Sequence, residues 1–200
     1  IRSFSELSST SFVIVRFGNV LGSSGSVIET FEDQIRRGRS LTVASPDIKR
    51  FFMSIEEAVI LSLEAACIGN SADTYVLDMG RPIKLLELAE DLLTLSQERG
   101  LAQKPIVFTG LRPGDKLEER LNEQEEFLVK TEFDKLFLVQ HKQKAMERDK
   151  FLDWITRLKA CIDNHALTRE GLDQMFKEAI PNYLPYKEYI ENVERKLSDE

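Results

Sequence analysis

The chain has 200 residues, 42% hydrophobic and 30% charged, with 34 acidic side chains against 27 basic ones and a formal net charge of −7. That length holds one core, or a core with a small appendage, and the acidic balance argues against nucleic acid or an anionic membrane surface as the main partner. Cys67 and Cys161 lie far apart without a CxxC, which fits buried thiols in a reducing cytoplasm; His141 and His165 lack metal-ligand spacing, and no apolar run reaches bilayer length.

The sequence opens at Ile1 and reaches its first strand almost at once, so it reads as a piece of something longer. "SFVIVRF" (11–17) is a continuous, β-branched apolar run and predicts a strand buried on both faces. "VIETFEDQIRRG" (27–38) spaces Val27, Phe31 and Ile35 four apart, a helix stripe with Gly38 as its stop. "SLTVA" (40–44) is a short strand. "SIEEAVILSLEAACIG" (54–69) begins with Ser54 as N-cap and Glu57 three residues on, a capping box. "TYVLDMG" (74–80) predicts a strand, "IKLLELAEDLLTLSQERG" (83–100) a long amphipathic helix, and "PIVFTG" (105–110) a further strand. This alternation predicts an α/β domain over 1–140 with much parallel sheet.

From "DKLFLVQ" (134–140) the chain is expected to turn to helix, giving a helical extension over 141–200 with helices at 142–164 and 168–181. Trp154, Ile155, Leu158 and Ile162 form a stripe that would dock on the α/β body, a partner-binding helix being the alternative. The tail "KEYIENVERKLSDE" reads as a solvated end.

Three segments carry chemistry. "RFGNVLGSSGSV" (16–27) spaces Gly18, Gly22 and Gly25 after a strand, with Asp47 about twenty residues on, as a dinucleotide-binding loop would. A tight turn and close helix packing explain the glycines equally well. Arg16 stands late in the strand, at the carboxyl edge where ligands of open α/β sheets gather, and Asn19 offers both an amide donor and an acceptor. "SPDIKRFFMS" (45–54) sets Lys49 and Arg50 beside aromatic residues. "TGLRPGDKLEE" (109–119) presents Arg112 and Asp115 around a stiff Pro113-Gly114 turn. A guanidinium fork suits a diphosphate, and a carboxylate suits sugar hydroxyls.

"VRFGNVLGSSGSVI", "LTVASPDIKRFFMSIEEAV", "YVLDMGRPIKLLELAEDL" and "FTGLRPGDKLEE", in this order and spacing, closely resemble the carboxyl-terminal portion of the UDP-N-acetylglucosamine 4,6-dehydratases of the polysaccharide-biosynthesis group. These are extended short-chain dehydrogenase/reductases. The resemblance implies a Rossmann-like parallel sheet with a substrate-binding subdomain and a helical tail. It places the cofactor's glycine loop upstream of this chain, so 16–27 becomes a substrate-side loop. Phe17 and Gly18 would lie beside the nicotinamide end of NAD, and Asn19 would bond the nucleotide-sugar phosphate. Val27, Ile28, Thr42 and Val43 would border the uracil pocket; Arg50 and Arg112 would clamp the diphosphate; Asp115 would hold the ribose. Glu29 departs from the family's usual proline and Lys49 from its usual threonine.

The resemblance implies NAD as cofactor, a UDP-sugar as substrate, a cytoplasmic location, and no nucleic-acid, membrane or metal contact from this segment. A homo-oligomer is compatible with it, and some relatives carry membrane helices before the catalytic domain. The family oxidises C4 of the sugar with NAD, removes the C5 proton, expels the C6 hydroxyl as water and returns the hydride to C6. Its acid–base residues precede the segment matching Ile1, so no catalytic residue is expected here. Two alternatives stand: a nucleotide-sugar 4-epimerase of the same group, and a non-catalytic nucleotide-sugar-binding module.

Overall fold

The valine–isoleucine run after Phe12 forms β1 (Ile14–Arg16), paired in parallel with β6 (Thr74–Leu77), with Ile14 opposite Thr74 and Arg16 opposite Val76. β6 is buried along its whole length because it has a strand on each side. β1 ends the sheet among the described residues, so its three residues are half-buried rather than buried on both faces as expected. The computed structural model describes residues 1–5, 9–100, 104–112, 114–122, 126–141, 145–165, 167–180, 183–185, 187–189 and 191. It divides into two compact units, residues 9–142 and residues 1–8 with 143–200.

In the larger unit the sheet order is β1-β6-β10-β9, where β9 (Glu126–Lys130) and β10 (Leu136–His141) form an antiparallel hairpin laid against β6. This hairpin corrects the expectation that the chain turns to helix from residue 134. Two apolar runs flank a turn in which the Thr131 hydroxyl donates to the Leu136 carbonyl at 2.8 Å and accepts from the Phe133 N–H at 3.1 Å. Shorter pairs complete the unit. β2 (Asn19–Val20) runs parallel to β5 (Phe52–Met53), β3 (Thr42–Val43) parallel to β8 (Val107–Phe108), and β4 (Lys49–Arg50) antiparallel to β7 (Ile83–Lys84).

Helix α2 (Ile55–Ile68) starts where its cap predicts, the Ser54 hydroxyl accepting the Glu57 N–H at 3.1 Å. The Glu57 carboxylate meets the Lys135 ammonium on the neighbouring hairpin turn. At its other end α2 needs Gly69 for space: a Cβ there would lie 2.6 Å from Val13 Cγ2 and 2.7 Å from the Ala65 carbonyl. One core packs α2 on the sheet through Leu61, Ala65, Tyr75, Leu77 and Leu136.

A second core joins α1 (Val27–Arg36) to α3 (Leu85–Glu98) around Phe31, Leu41, Val43 and Ala89. Phe31 and Leu41 are fully enclosed, a burial worth about 1.5–3 kcal/mol for each such side chain. Ser26 caps α1, and Glu29, where the family often has proline, accepts the Gly25 N–H at 2.8 Å. Gly38 stops α1 as predicted, in a left-handed conformation (φ +62°) that returns its N–H to the Ile35 carbonyl.

In the smaller unit α4 (Arg148–Asp163) lies against α5 (Arg169–Ala179). Trp154 is buried in this unit between Phe151 and Phe176, and its indole N–H donates to the Met175 carbonyl at 2.8 Å. The expected stripe splits: Trp154 faces aromatic neighbours while Ile155 and Ile162 are exposed. Residues 142–144 of the first expected helix, 181 of the second, and 190 and 192–200 of the tail lie outside the described residues.

Candidate functional site

A cleft of about 430 Å³ opens where β1 gives way to β2. Three distant segments line it: Phe17, Gly18 and Asn19; Arg50 of β4; and the stretch 114–121 through Gly114, Asp115, Lys116, Glu119, Arg120 and Leu121. Three cations thus face two carboxylates around an aromatic ring and an amide.

The floor is set by close packing. A Cβ on Gly18 would lie 2.9 Å from Phe51 Cβ and 3.1 Å from the Phe51 carbonyl, so glycine lets β2 run beside β5. The Asn19 N–H donates to the Phe51 carbonyl at 2.9 Å. Gly22 and Gly25 adopt left-handed conformations in the turn before α1 and do not line the cleft. Asp47 pairs at the surface with Lys84, 3.6 Å away. Gly18 thus serves a strand contact, and Gly22 and Gly25 serve the turn before α1.

Arg50 fixes the third segment. Its Nε lies 3.2 Å from Glu119 Oε1, and Nη1 donates to the Lys49 and Lys116 carbonyls at 2.7 and 2.8 Å. Lys49, the departure from threonine, pairs with Glu118 at 2.7 Å. In the turn at 112–115 the Asp115 carboxylate accepts the Arg112 N–H at 2.8 Å, while Gly114 takes φ +92°. Pro113 lies outside the described residues.

The structure therefore brings Phe17, Gly18, Asn19, Arg50 and Asp115 together in one cleft. Arg112 is exposed on the turn but is not part of the lining. Val27 and Val43 meet elsewhere, in the core around Phe31, where Val43 is 1% exposed. Thr42 is held by Gln34, whose amide donates to its hydroxyl at 2.8 Å, and Ile28 is half-buried on α1. The Arg16 guanidinium makes a two-pronged pair with Glu126 at 2.7 and 3.1 Å.

Sequence reasoning missed Lys116, Glu119, Arg120 and Leu121. Their signal was the charged run directly after the Arg112–Asp115 turn, which continues along the cleft wall. It also missed a second lobe of about 400 Å³ that shares Glu119, Arg120 and Leu121 with the first and is otherwise mainly apolar, with Phe51, Met79, Leu128 and Phe137 in its walls. Among the described residues no group of three or more His, Cys, Asp or Glu is placed to hold a metal ion, and no helix is long and apolar enough to cross a membrane.

The sequence profile of the polysaccharide biosynthesis proteins matches residues 1–141. The chain belongs to that family. It is 40% identical over 172 residues to the probable polysaccharide biosynthesis protein EpsC of Bacillus subtilis, covering 86% of this chain and 27% of EpsC. It is 37% identical over 117 residues to the UDP-glucose 4-epimerase of Rickettsia rickettsii, covering 58% of this chain and 33% of the epimerase. The X-ray structure of Pen from Bacillus thuringiensis superposes with a TM-score of 0.61 at 30% identity, covering 78% of this chain and 52% of Pen. The chain thus spans about a quarter to a third of these curated relatives. Its α/β fold is that of the extended short-chain dehydrogenase/reductases.

Proposed function

We propose that this chain supplies the substrate-binding part of an NAD-dependent nucleotide-sugar 4,6-dehydratase acting in polysaccharide biosynthesis, with a UDP-sugar bound in the cleft. The observation that carries this reading is the convergence of Phe17–Asn19, Arg50 and Asp115, three motifs far apart in sequence, on one concave site at the end of a parallel strand. In this role Asn19 and the cleft's cations hold the diphosphate and Asp115 accepts from ribose hydroxyls. Val27 and Val43 belong to the second core, with Ile28 on α1 and Thr42 on β3 beside them, and the base end of the ligand would rest there.

Phe17, 37% exposed at the cleft, offers a flat apolar face to the nicotinamide end of NAD, with Gly18 beside it. The bound cofactor would supply the hydride acceptor. The cofactor's phosphates would be held by the glycine loop that the resemblance places upstream of this chain. No acid–base residue of the dehydratase reaction is assigned to these 200 positions, and binding without turnover is expected.

Incubating the purified chain with UDP-N-acetylglucosamine and NAD, with mass spectrometry of the products, tests this. The substrate should return unchanged while it binds. A 4-keto-6-deoxy product would place catalytic residues within the chain. A 4-epimerase is the second reading, favoured by the identity to the Rickettsia epimerase; epimerised sugar as the product would support it.

A further inference from the structure

The four-stranded sheet ends at β9 (Glu126–Lys130), and among the described residues no strand lies along its outer side. We infer that this edge is a self-association surface, on which β9 of a second copy of the chain pairs antiparallel about Leu128. Two four-stranded sheets then become one continuous sheet. β9 pairs in this way whatever the cleft binds.

The hairpin's own bonding says which backbone groups face outward. At its turn the Thr131 N–H donates to the Leu136 carbonyl, and bonded positions alternate along an antiparallel ladder. Back along β9, Val129 and Phe127 therefore bond inward, opposite Leu138 and Gln140. Leu128 and Lys130 turn their N–H and C=O groups to the outer edge. Natural edges are blunted by a bulge, a proline or an inward-pointing charge. Here β9 pairs with β10 one for one, without bulge or proline, and Phe127, Leu128 and Val129 are 57%, 40% and 37% exposed. Successive side chains point to opposite faces, so apolar groups stand open on both. Such an edge is a template for another strand.

Charge selects the occupant and its direction. In a parallel, in-register pair Lys130 would stand beside Lys130 of the second copy. In the antiparallel pair about Leu128 it stands opposite Glu126 of the second copy, and Phe127 stands opposite Val129. Opposite charges, and an aromatic against a β-branched side chain, are the cross-strand pairs that favour a sheet. Glu126 also holds Arg16 and His141, so the new ion pair is a small term and keeping two lysines apart the larger one. Register follows from the backbone. A shift by one residue would set the outward groups of Leu128 against an inward-bonded residue, and a shift by two takes Lys130 off Glu126. The strand is thus its own complement. An edge this short places the dimer in the weak, concentration-dependent class.

The experiment is sedimentation velocity of the purified chain over about a hundredfold range of concentration, with disulfide trapping of cysteine variants. The mass should climb from monomer toward dimer as concentration rises. Leu128→Pro removes an outward N–H and should hold the chain monomeric. Val129→Lys leaves the backbone intact and should weaken association about threefold or more, which keeps the test decisive if the proline variant fails to fold. In a Cys67→Ser, Cys161→Ser background, Leu128→Cys should link two chains on mild oxidation. Its Cα would lie about 5.5 Å from its own counterpart, within disulfide reach. Phe127→Cys and Val129→Cys, each opposite the other rather than itself, should link at least about tenfold more slowly. A chain that stays monomeric throughout and does not link at position 128 overturns the inference. So does equal linking at 127, 128 and 129. Association undiminished in both Leu128→Pro and Val129→Lys also overturns it, placing the contact elsewhere, as on the exposed side of α2 formed by Val59, Ile60 and Leu63.

Discussion

Arg50 Nε and Glu119 Oε1 lie 3.2 Å apart, joining the short strand β4 to the last stretch of the cleft wall. The same guanidinium donates to the Lys116 carbonyl, so one side chain fixes the path of residues 116–119. Arg50→Ala should therefore lower stability by about 2–3 kcal/mol, through the carbonyls and the carboxylate left behind. Lysine should restore little, because an ammonium cannot reach three acceptors in the plane of a fork. Urea denaturation of the two variants checks this, and equal rescue by lysine would contradict it.

Ser54→Ala should cost about 1 kcal/mol by releasing the Glu57 N–H at the start of α2. Glu57→Gln should move the midpoint less than Ser54→Ala does, since its carboxylate makes a surface pair with Lys135. An unchanged denaturation midpoint for Ser54→Ala would mean the cap contributes nothing.

Glu126 receives the fork of Arg16 and also lies 2.9 Å from His141 Nδ1, with its side chain 9% exposed. Glu126→Ala strands both partners and should destabilise by about 2–3 kcal/mol. In a double-mutant cycle with Arg16→Ala the two losses should fall short of additivity by more than about 0.5 kcal/mol. Strict additivity would show that the pair is not coupled.

Tyr75 is buried on β6, and its hydroxyl donates to Asp73 Oδ2 at 3.3 Å. Burial first, and then the Asp73 carboxylate, raise its pKa above the ordinary 10.0. The unfolded chain thus gives up this proton at lower pH than the folded one. Stability from this group is complete below about pH 10 and is lost as pH climbs through the folded-state value. Tyr75→Phe should flatten the alkaline loss of stability in denaturation series from pH 8 to 11. An identical slope in both proteins would contradict the linkage.

The alternation of strand and helix was legible because periodicity and capping residues agree at Phe31, Gly38, Ser54 and the run 74–77. The hairpin at 126–141 was not. Leu136 and Val139 face the core three residues apart, so period-two alternation does not mark the strand. For the site, the motifs at Asn19, Arg50 and Asp115 were legible as residues that meet at strand ends. Their state was not: that the Arg50 guanidinium is spent on carbonyls depends on packing between segments 66 residues apart. Arg16 shows the same limit, its partner Glu126 lying 110 residues away.

The central claim is that the cleft of Asn19, Arg50 and Asp115 binds a nucleoside diphosphate sugar. Calorimetric titration of UDP-N-acetylglucosamine into the purified chain, repeated with Asn19→Ala, tests it most directly. The account predicts saturable binding to one site, weakened about three- to tenfold in the variant by loss of one hydrogen bond. A wild-type chain that does not saturate with millimolar ligand, or a variant with the same Kd, would contradict it.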